Sequence, residues 1–587
     1  MKRVLMILIT FMFSMTSSWS QETWLRTFGG TNRDYGQSLS ATPDGGYVLT
    51  GTTGSDDGDF EGSSRGAGDV FVMRLDSRGD LVWKKTFGGS GKEAGQSITT
   101  TPDGGYVLTG TTASDDGDFE GMNKGWYDIF VIKLGSRGEL QWKKTFGGAG
   151  NELGHCIVNT LDGGYVLTGL YSSTNGDFEG MKRGYYDIFV VKLDSGGDVQ
   201  WKKTFGGSGN DRGWSISLAP DGGCVVTGDF RSNDGDFEGM NRGNSDIFVI
   251  KLGSRGDLQW KKTLGGVHAE TSYAITTTPD GDCIGTGETI SNSGDFMGVR
   301  REYADIFVTK LGPGGDVKQK MVFEGSAPEL GRSIAVTPDG GCVLTGSSKV
   351  GVYPAEYDIF IIKLDSGGDV QWQKTFGGSD DDISYSITVS LDGGCVITGE
   401  TNSRDGDFES VNRVWLRTDI FIIKLNAQGH LQWKRTFGGA GSNRGNCIAT
   451  THDGGYVLTG ESLSKDGEFV GMNKGGFDIF VLKLDAHGNL NIPTSVNDQT
   501  DNSSPLTVSP NPFSSVSNVS YSLDQPSHVR IEVVNSIGEV TAVLSDRQAE
   551  IGAHEVSLNA THLGTGTYWI RMVTDHQVFS KQVVLIR

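Results

Sequence analysis

The 587-residue sequence lacks any long hydrophobic run beyond its first fifteen residues. A membrane-spanning helix needs about 20 consecutive apolar residues, so we expect a protein that does not span a membrane. Residues 1–20 carry Lys2 and Arg3, then the apolar run Val4–Met15, then small residues. This pattern predicts a secretory signal peptide over residues 1–20, cut before Gln21. No cysteine lies near that position, which argues against a lipid anchor.

Basic residues are also scarce. The sequence has 51 lysines and arginines against 72 aspartates and glutamates, a formal net charge of -21. A surface of this charge repels both nucleic acid and anionic membranes over a broad area. We therefore expect neither of them as a partner, and the charge favours a soluble exported chain.

Catalytic signatures are absent as well. The sequence contains no Ser-x-Asp-x-Gly-x-x-Trp box of sialidase-type enzymes, no Gly-x-Ser-x-Gly motif, no phosphate-binding loop and no His-Glu-x-x-His motif. The histidines of residues 21–492 fall at unrelated positions and form no metal-ligand spacing. We expect a protein without a cofactor, calcium excepted, and without enzymatic activity. An active site assembled from scattered residues stays an alternative.

What the sequence does have is one motif repeated along most of its length. A tryptophan or its equivalent recurs at spacings of 59, 59, 59, 59, 59, 53 and 61 residues. The eight positions are Trp24, Trp83, Trp142, Trp201, Trp260, Gln319, Trp372 and Trp433. Self-similarity at a period of this size indicates a repeat architecture.

Each copy contains four segments with the composition of β-strands. In the second copy, Ser97–Thr100 and Tyr106–Thr111 flank a Pro-Asp-Gly-Gly turn. Ile129–Leu134 is apolar at nearly every position, as expected of a strand covered on both faces, and a Gly-rich turn leads to Leu140–Phe146. Four-stranded units covered on both faces must stack on like units, and radial stacking of four to eight units forms a β-propeller.

The two ends of the repeat region predict how such a ring closes. Eight complete hairpins occur, but the last copy supplies only three strands, which end at Leu484. Trp24–Phe28 precedes the first hairpin and can complete the last blade as its outer strand, removing an open edge. We therefore predict an all-β fold with an eight-bladed β-propeller over residues 21–492, and seven blades as the alternative.

The recurring pattern Trp-x-x-x-Phe-Gly-Gly, Asp-Gly-x-x-Val-x-Gly and Asp-x-Phe-Val-x-Lys-Leu covers residues 24–485. It resembles the bacterial β-propeller repeat often called the seven-bladed propeller repeat. The resemblance implies an exported protein with a propeller fold and no shared reaction. The sixth copy departs from the pattern, with Gln319 in place of tryptophan and a shortened loop over residues 348–357.

All six cysteines occupy repeat-equivalent positions in different copies. They are Cys156, Cys224, Cys283, Cys342, Cys395 and Cys447. Equivalent positions lie a whole structural unit apart, beyond the roughly 7 Å between Cα atoms that a disulfide allows. We predict six free, buried thiols that serve as small apolar side chains.

An acidic loop joins the second and third strands of most copies. In the second copy, Asp115, Asp116, Asp118 and Glu120 could supply oxygen ligands to calcium, a hard cation. What persists through the copies is Gly-Asp-Phe, or Gly-Glu-Phe in the eighth, followed by a basic residue. We favour a packed phenylalanine with an ion-paired aspartate, and calcium binding is the alternative.

Sequence differences among the copies fall on one predicted face of the propeller. One set of loops, between fourth and first strands, differs over residues 31–35, 92–94, 151–154, 210–214, 268–272 and 380–384. The other set carries aromatic residues before the third strands. The candidate ligand-binding residues are Trp126, Tyr127, Tyr185, Tyr186 and Trp415. Such rings suit a sugar or a protein partner, and packing against a neighbouring blade is the alternative.

A polar linker over residues 493–504 separates the repeats from residues 505–587, whose alternating pattern predicts a small β-sandwich. Ser509–Phe513, Asn535–Val540, Leu563–Tyr568 and Lys581–Val584 resemble motifs of the C-terminal sorting domain of the type IX secretion system. The resemblance implies a secreted or outer-membrane cell-surface protein, handled by the type IX machinery through residues 505–587, with the tail removed by a sortase-like peptidase. A binding sandwich that stays attached is the alternative.

These patterns favour an exported, noncatalytic binding or adhesion propeller whose ligand is a carbohydrate or a surface protein. Two alternatives from other classes stay open: a polysaccharide-active enzyme, either a hydrolase or a lyase, and a purely structural surface scaffold.

Overall fold

The computed structural model describes residues 22–297, 303–323, 328–350, 356–409, 417–490 and, with short gaps, 506–585. The chain separates into two compact units, residues 1–491 and 492–587. The predicted signal peptide, residues 1–20, and the predicted linker, residues 493–504, lie outside the described residues.

In the described residues of the first unit, eight four-stranded antiparallel sheets follow one another along the chain. The first strand of each sheet packs on the first two strands of the sheet before it, and the first strand of sheet one packs on sheet eight in the same way. This pattern closes a ring. The predicted eight-bladed propeller is confirmed, and we number the sheets as blades one to eight.

The four strands recur at fixed places in each blade. The first, innermost strands are Asp34–Ala41, Glu93–Thr100, Glu152–Asn159, Asp211–Leu218, Glu270–Thr277, Glu329–Val336, Asp382–Val389 and Asn443–Thr450. The second strands are Tyr47–Thr53, Tyr106–Thr112, Tyr165–Tyr171, Cys224–Phe230, Cys283–Thr289, Cys342–Val350, Cys395–Thr401 and Tyr456–Ser462. The third strands are Asp69–Leu75, Asp128–Leu134, Asp187–Leu193, Asp246–Leu252, Asp305–Leu311, Glu356–Leu364, Asp419–Leu425 and Asp478–Leu484.

The fourth, outermost strands of blades one to seven are Leu81–Phe87, Leu140–Phe146, Val199–Phe205, Leu258–Leu264, Val317–Phe323, Val370–Phe376 and Leu431–Phe437. Short 3-10 turns lie between second and third strands, at Gly58–Phe60, Gly117–Phe119, Gly176–Phe178, Gly235–Phe237, Gly294–Phe296, Gly406–Phe408 and Gly467–Phe469. The fourth strand of blade eight comes from the start of the chain, as predicted. Trp24–Phe28 pairs antiparallel with Asp478–Leu484.

The core lies between blades rather than within them. Every residue of the third strand Asp128–Leu134 is buried, because each face of its sheet meets a neighbouring blade. Phe130 and Ile132 of blade two pack in one cluster with Val70 and Val72 of blade one. The apolar run that marks the third strand in the sequence therefore reflects burial on both faces.

The first strands are longer than predicted. The sequence pattern placed the start of this strand at Ser97 in blade two, whereas the strand begins at Glu93 and carries a β-bulge between Gly95 and Ser97. A Cβ at Gly95 would clash with the Thr50 hydroxyl and with Val70 of blade one, so glycine permits the close approach of the blades. Much of each variable segment assigned to a loop therefore belongs to an innermost strand.

All six cysteines are free, as predicted. Cys224, Cys283, Cys342 and Cys395 are buried, but Cys156 and Cys447 are only half-buried, which corrects that part of the prediction. These two lie on innermost strands, which the neighbouring blades cover less completely. Among the residues that the structure describes, no helix is long and apolar enough to cross a membrane.

The second unit is a small all-β body with two sheets in its described part. One sheet has three strands, Leu506–Ser509, Val516–Leu523 and Gly552–Asn559. The other has four strands, Val540–Ala549, Ser527–Val534, Gly566–Val573 and Val578–Leu585, in that spatial order. Val519 of the first sheet and Ile531 and Ile570 of the second share one fully buried core.

Candidate functional site

The rim aromatics proposed from the sequence are mostly open to solvent. Trp126 and Tyr185 are 74% and 66% exposed, whereas Tyr127 and Tyr186 are half-buried. The Tyr185 and Tyr186 rings meet edge-on with centroids 4.8 Å apart. Trp415 lies outside the described residues.

The backbone of these rim segments docks on the next blade. The peptide N–H of Trp126 donates to the carbonyl of Gly150 (3.0 Å), and that of Tyr185 donates to Gly209 (3.2 Å). Within the described residues, no ring contact joins the blade-two pair to the blade-three pair. The structure therefore presents two exposed rings, Trp126 and Tyr185, on adjacent blades without contact between the blade-two and blade-three pairs.

The acidic loop of blade two is committed to structural contacts. The Asp116 carboxylate accepts a hydrogen bond from the peptide N–H of Ser90 (2.7 Å). The Asp118 carboxylate accepts one from Gly88 (3.1 Å) and lies 3.3 Å from the Arg65 guanidinium of blade one. The same ion pair between blades recurs as Lys124–Asp177, Arg183–Asp236, Arg242–Asp295 and Lys474–Asp59. Two of the four calcium candidates are thus used to join blades.

Phe119 of the same loop is fully buried, and the Lys143 ammonium lies 5.0 Å from the centre of its ring. Asp115 and Glu120 are exposed. In the part of the chain that the structure describes, no group of three or more His, Cys, Asp or Glu side chains is arranged to hold a metal ion. The predicted packed phenylalanine and paired aspartate are confirmed, and calcium binding stays an untested alternative.

A set of side chains that the sequence pattern did not single out meets at the centre of the propeller. The fourth residue of each innermost strand sits in the β-bulge and so has no partner in the second strand. We call these eight residues the central ring: Gln37, Gln96, His155, Trp214, Tyr273, Arg332, Tyr385 and Asn446.

Aromatic stacking and hydrogen bonds order one arc of the central ring. The His155 imidazole lies parallel to the Trp214 indole, with centroids 4.7 Å apart and a 7° angle between planes. The Trp214 indole N–H donates to Asp229 Oδ1 (2.7 Å). The Tyr273 hydroxyl donates to Glu288 Oε1 (2.7 Å). Each acidic partner lies on the second strand of the same blade.

The same arrangement continues in blades seven and eight. The Tyr385 hydroxyl donates to Glu400 Oε1 (2.6 Å), and Arg444 donates to both oxygens of Glu400 (3.1 and 3.2 Å). The Asn446 amide donates to Glu461 Oε2 (2.5 Å). Bidentate and charge-assisted bonds of this kind fix side-chain orientation, so the arc is preorganised.

Burial shifts the pKa values of Asp229, Glu288, Glu461 and His155 toward the neutral forms of these side chains. Burial raises the pKa of Asp229 to about 6 and that of Glu461 to about 7, although hydrogen bonds and arginine charges oppose the shift. Burial also raises the pKa of Glu288 and lowers the pKa of His155. Groups that titrate near neutral pH in a solvent-connected site are suited to proton transfer as well as to hydrogen bonding.

Blades one and two complete the ring differently. Gln37 and Gln96 are exposed, unlike the half-buried side chains of the other six blades. Thr52 and Thr111 stand where four of the other blades carry a carboxylate. The central ring is therefore asymmetric, with aromatic and acidic groups along one arc and open, neutral amides along the other.

One signal in the sequence could have identified the central ring. The eight copies are nearly identical at adjacent core positions, yet the fourth residue of the first strand is Gln, His, Trp, Tyr, Arg or Asn. The sequence interpretation assigned the segment ending at Trp214 to a surface loop, because the bulge interrupts the strand pattern. The aromatic candidates chosen instead lie at the rim.

Residues 507–586 match the family model of the secretion system C-terminal sorting domain. The chain carries a type IX sorting domain. This domain directs the protein to the type IX secretion machinery, so the protein is secreted or displayed at the outer-membrane cell surface.

Similarities over the repeats are weaker. The chain is 24% identical over 312 residues to the regulatory protein FlaEY of Caulobacter vibrioides. That alignment covers 48% of this chain, and the chain spans only 31% of the relative's length.

Two solved structures are similar to the chain at low sequence identity. A puromycin hydrolase mutant is 14% identical, with a TM-score of 0.39, over 73% of this chain and 59% of the other. PorZ, a surface component of the type-IX secretion system of Porphyromonas gingivalis, is 10% identical with a TM-score of 0.20, over 96% and 100% of the two chains.

Proposed function

We propose that the protein is an exported, noncatalytic binding protein that holds a carbohydrate in the mouth of the central channel, against the central ring. The observation that carries this proposal is where the eight copies differ. Their packing positions are nearly constant, whereas the residues facing the propeller axis are of six different types in eight blades. A repeat that served only as a scaffold has no need of this asymmetry.

The chemistry of the ring suits a sugar. The indole of Trp214 and the phenols of Tyr273 and Tyr385 present flat apolar surface beside hydrogen-bonding groups. Ligand sites in proteins combine such surfaces with a few oriented polar groups in a concave setting. The exposed rim residues Trp126 and Tyr185 add apolar surface at the edge of the propeller, where a longer polysaccharide or a surface protein would make further contacts.

The test compares the central ring with the rim. The secreted wild-type protein is screened on a glycan array, and the best glycan is titrated by calorimetry against Trp214→Ala and against the rim variant Tyr127→Ser/Tyr186→Ser. We expect Trp214→Ala to weaken binding at least tenfold, because a well-packed aromatic anchor dominates such sites, and the rim variant to have a smaller effect. Melting temperatures check that each variant is folded.

Two outcomes count against this proposal. Wild-type protein that binds no glycan would reject the carbohydrate, and a folded Trp214→Ala protein that binds as wild type would reject the central ring. In the second case, lost binding in the rim variant would move the site to the rim residues.

A polysaccharide-active enzyme is the second candidate, favoured by the raised pKa values of Asp229 and Glu461. A carboxyl group that titrates near neutral pH is suited to general acid or base work. Prolonged incubation of the protein with the bound polysaccharide, followed by size analysis of the products, tests this candidate. Chain cleavage that disappears in Glu461→Gln would replace the binding proposal by an enzymatic one.

A further inference from the structure

A cleft of about 650 Å³ lies at the start of the innermost strands of blades one and two, the strands that carry Gln37 and Gln96 of the central ring. Its walls come from blades one, two and eight. They include the segment before the first strand of blade one, the aromatic ring of Tyr35 and the side chain of Lys92. Tyr35 is held against Phe477 of blade eight, with ring centroids 5.9 Å apart. The cleft therefore has one fixed aromatic wall.

Two cations, Arg33 and Lys92, line this cleft, and both are exposed. Neither side chain forms an ion pair with any residue that the structure describes. They occupy equivalent positions in adjacent blades, directly before the first strand. The other six blades carry no cation there: Asn151, Asn210, Ala269, Pro328, Asp381 and Ser442. The pair of cations is therefore specific to blades one and two.

The carboxylates next to these cations in sequence are turned into the blades. Asp34 is fully buried and accepts hydrogen bonds from the hydroxyls of Thr53 (2.5 Å) and Ser55 (2.8 Å). Glu93 is likewise fully buried and accepts a hydrogen bond from the Thr112 hydroxyl (2.9 Å). Both acids serve structural roles inside their blades, which leaves the positive charges of the cleft facing solvent.

These two cations contrast with the negative charge of the whole chain. A protein of net charge -21 repels anions at long range, so two unpaired cations in one cleft form a local exception. Arginine in particular forms paired hydrogen bonds with carboxylate and sulfate oxygens. The exposed amides of Gln37 and Gln96 lie on the same blades and offer further donors toward the channel.

We propose that the cleft binds the anionic groups of an acidic polysaccharide, a uronate carboxylate or a sulfate ester, while the neutral part of the sugar lies against Tyr35 and the central ring. The inference rests on the proposed carbohydrate function and specifies its ligand class. Arg33 and Lys92 select for charge, and the central ring supplies most of the contact surface.

The experiment measures binding of the secreted protein to oligogalacturonate, to its methyl-esterified form, to a sulfated galactan oligosaccharide and to the same galactan without sulfate. We expect at least one charged oligosaccharide to bind at least tenfold more tightly than its uncharged counterpart. The preference should decrease as salt is raised from 50 to 500 mM, because partly exposed charges are screened. The two pairs distinguish a carboxylate from a sulfate as the recognised anion.

The decisive variant is Arg33→Gln/Lys92→Gln, which should remove the preference for the charged member of each pair. Its matched control, Arg137→Gln/Arg255→Gln, removes the same charge from exposed turns between third and fourth strands and should bind as wild type. Equal binding of charged and uncharged oligosaccharides that still depends on Trp214 would overturn this inference and leave the carbohydrate function standing. Absence of binding to all four, or equal losses in both double variants, would also overturn it.

Discussion

At the blade boundaries, buried carboxyl groups of neighbouring blades lie near each other, and their negative charges repel. Asp128, which opens the third strand of blade two, is fully buried. One of its oxygens accepts a hydrogen bond from the peptide N–H of Lys124 (3.1 Å), and the other makes no hydrogen bond within the described residues. Burial, with a smaller contribution from the charge of Glu152 on blade three, raises the pKa of Asp128 to about 7.

Other boundaries repeat this feature, and one replaces an acid by an amide. Burial raises the pKa of Asp69 and Asp246 to about 7 as well. Between blades seven and eight, Asn443 stands in place of the second acid, and its amide donates to Asp419 Oδ1 (3.2 Å). The natural Asp–Asn pair shows the hydrogen bond that a protonated acid pair can also form.

We predict that the melting temperature is higher at pH 5 than at pH 8. An unfolded aspartate titrates near 3.9 and Asp128 near 7, so the folded state binds more protons between these values. The stability from protonation is complete at the acid end of this window and is lost as pH rises through the folded pKa. Calorimetric scans from pH 5 to 8 at constant ionic strength measure this dependence.

The matched variant is Asp128→Asn, which keeps the shape of the side chain and removes one titration. It should raise the melting temperature at pH 8 and have little effect at pH 5, because the amide resembles the protonated acid. A melting temperature that rises steadily from pH 5 to pH 8 would show that these carboxyls are not protonated in the folded protein.

Among the structural elements, the strand Trp24–Phe28 closes the ring of blades. It pairs with the third strand of blade eight along its full length, from Trp24 opposite Lys483 to Phe28 opposite Ile479. Trp24 is buried, and its indole N–H donates to the carbonyl of Ser77 in blade one (3.0 Å). Five residues thus join blade eight to blade one and cover an edge that would otherwise be open.

Removal of residues 22–28 should lower the melting temperature by more than 10 °C and promote self-association through the exposed edge of Asp478–Leu484. A synthetic peptide of residues 22–28 added in trans should restore stability. The same peptide with Leu25→Asp should not, because Leu25 is buried in the core of blade eight and a charged side chain there is costly. A truncated protein that melts as wild type would contradict the closure role of this strand.

A second element, the 3-10 turn Gly117–Phe119, places Phe119 fully inside the boundary between blades one and two. Phe119→Ala should cost about 3 to 5 kcal/mol of unfolding free energy, because a large cavity forms in a packed core. The exposed Trp126→Ala, a few residues along the same loop, provides the control and should change unfolding by less than about 0.5 kcal/mol. Denaturant titrations compare the two variants, and equal effects would contradict the packing role of Phe119.

At the scale of the whole molecule, the sorting domain and the proposed binding site lie in separate units. The sorting domain lies in the second unit, while the central ring and the cleft lined by Arg33 and Lys92 lie in the first. The two sheets of the second unit close their own hydrophobic core, so its fold does not depend on core residues of the propeller. This organisation is consistent with removal of the tail after export.

We predict that the exported form begins at Gln21 and ends within residues 493–504. Terminal sequencing of the protein from a host with a type IX secretion system checks both ends. A variant that lacks residues 505–587 provides the control and should stay inside the outer membrane, because the sorting domain is missing. Recovery of extracellular protein that still contains Arg587 would contradict cleavage of the tail.

The sequence alone determined the features that repeat. The spacing of the tryptophans, the apolar third strands and the incomplete last copy predicted eight blades closed by Trp24–Phe28, because these features follow from local turn chemistry and from burial on both faces. The motifs of residues 507–586 likewise predicted the sorting domain, which the family match confirms. Ligand binding by the predicted rim aromatics stays a prediction.

Only the tertiary structure decided which residues meet. His155 and Trp214 are 59 residues apart in sequence, yet their rings stack, and Arg33 and Lys92 line one cleft. A β-bulge hid the first half of each innermost strand from pattern analysis, and radial stacking converts a position in eight successive repeats into one ring. A repeat shows its period along the chain, but the asymmetric surface at its axis exists only when all eight blades close around it.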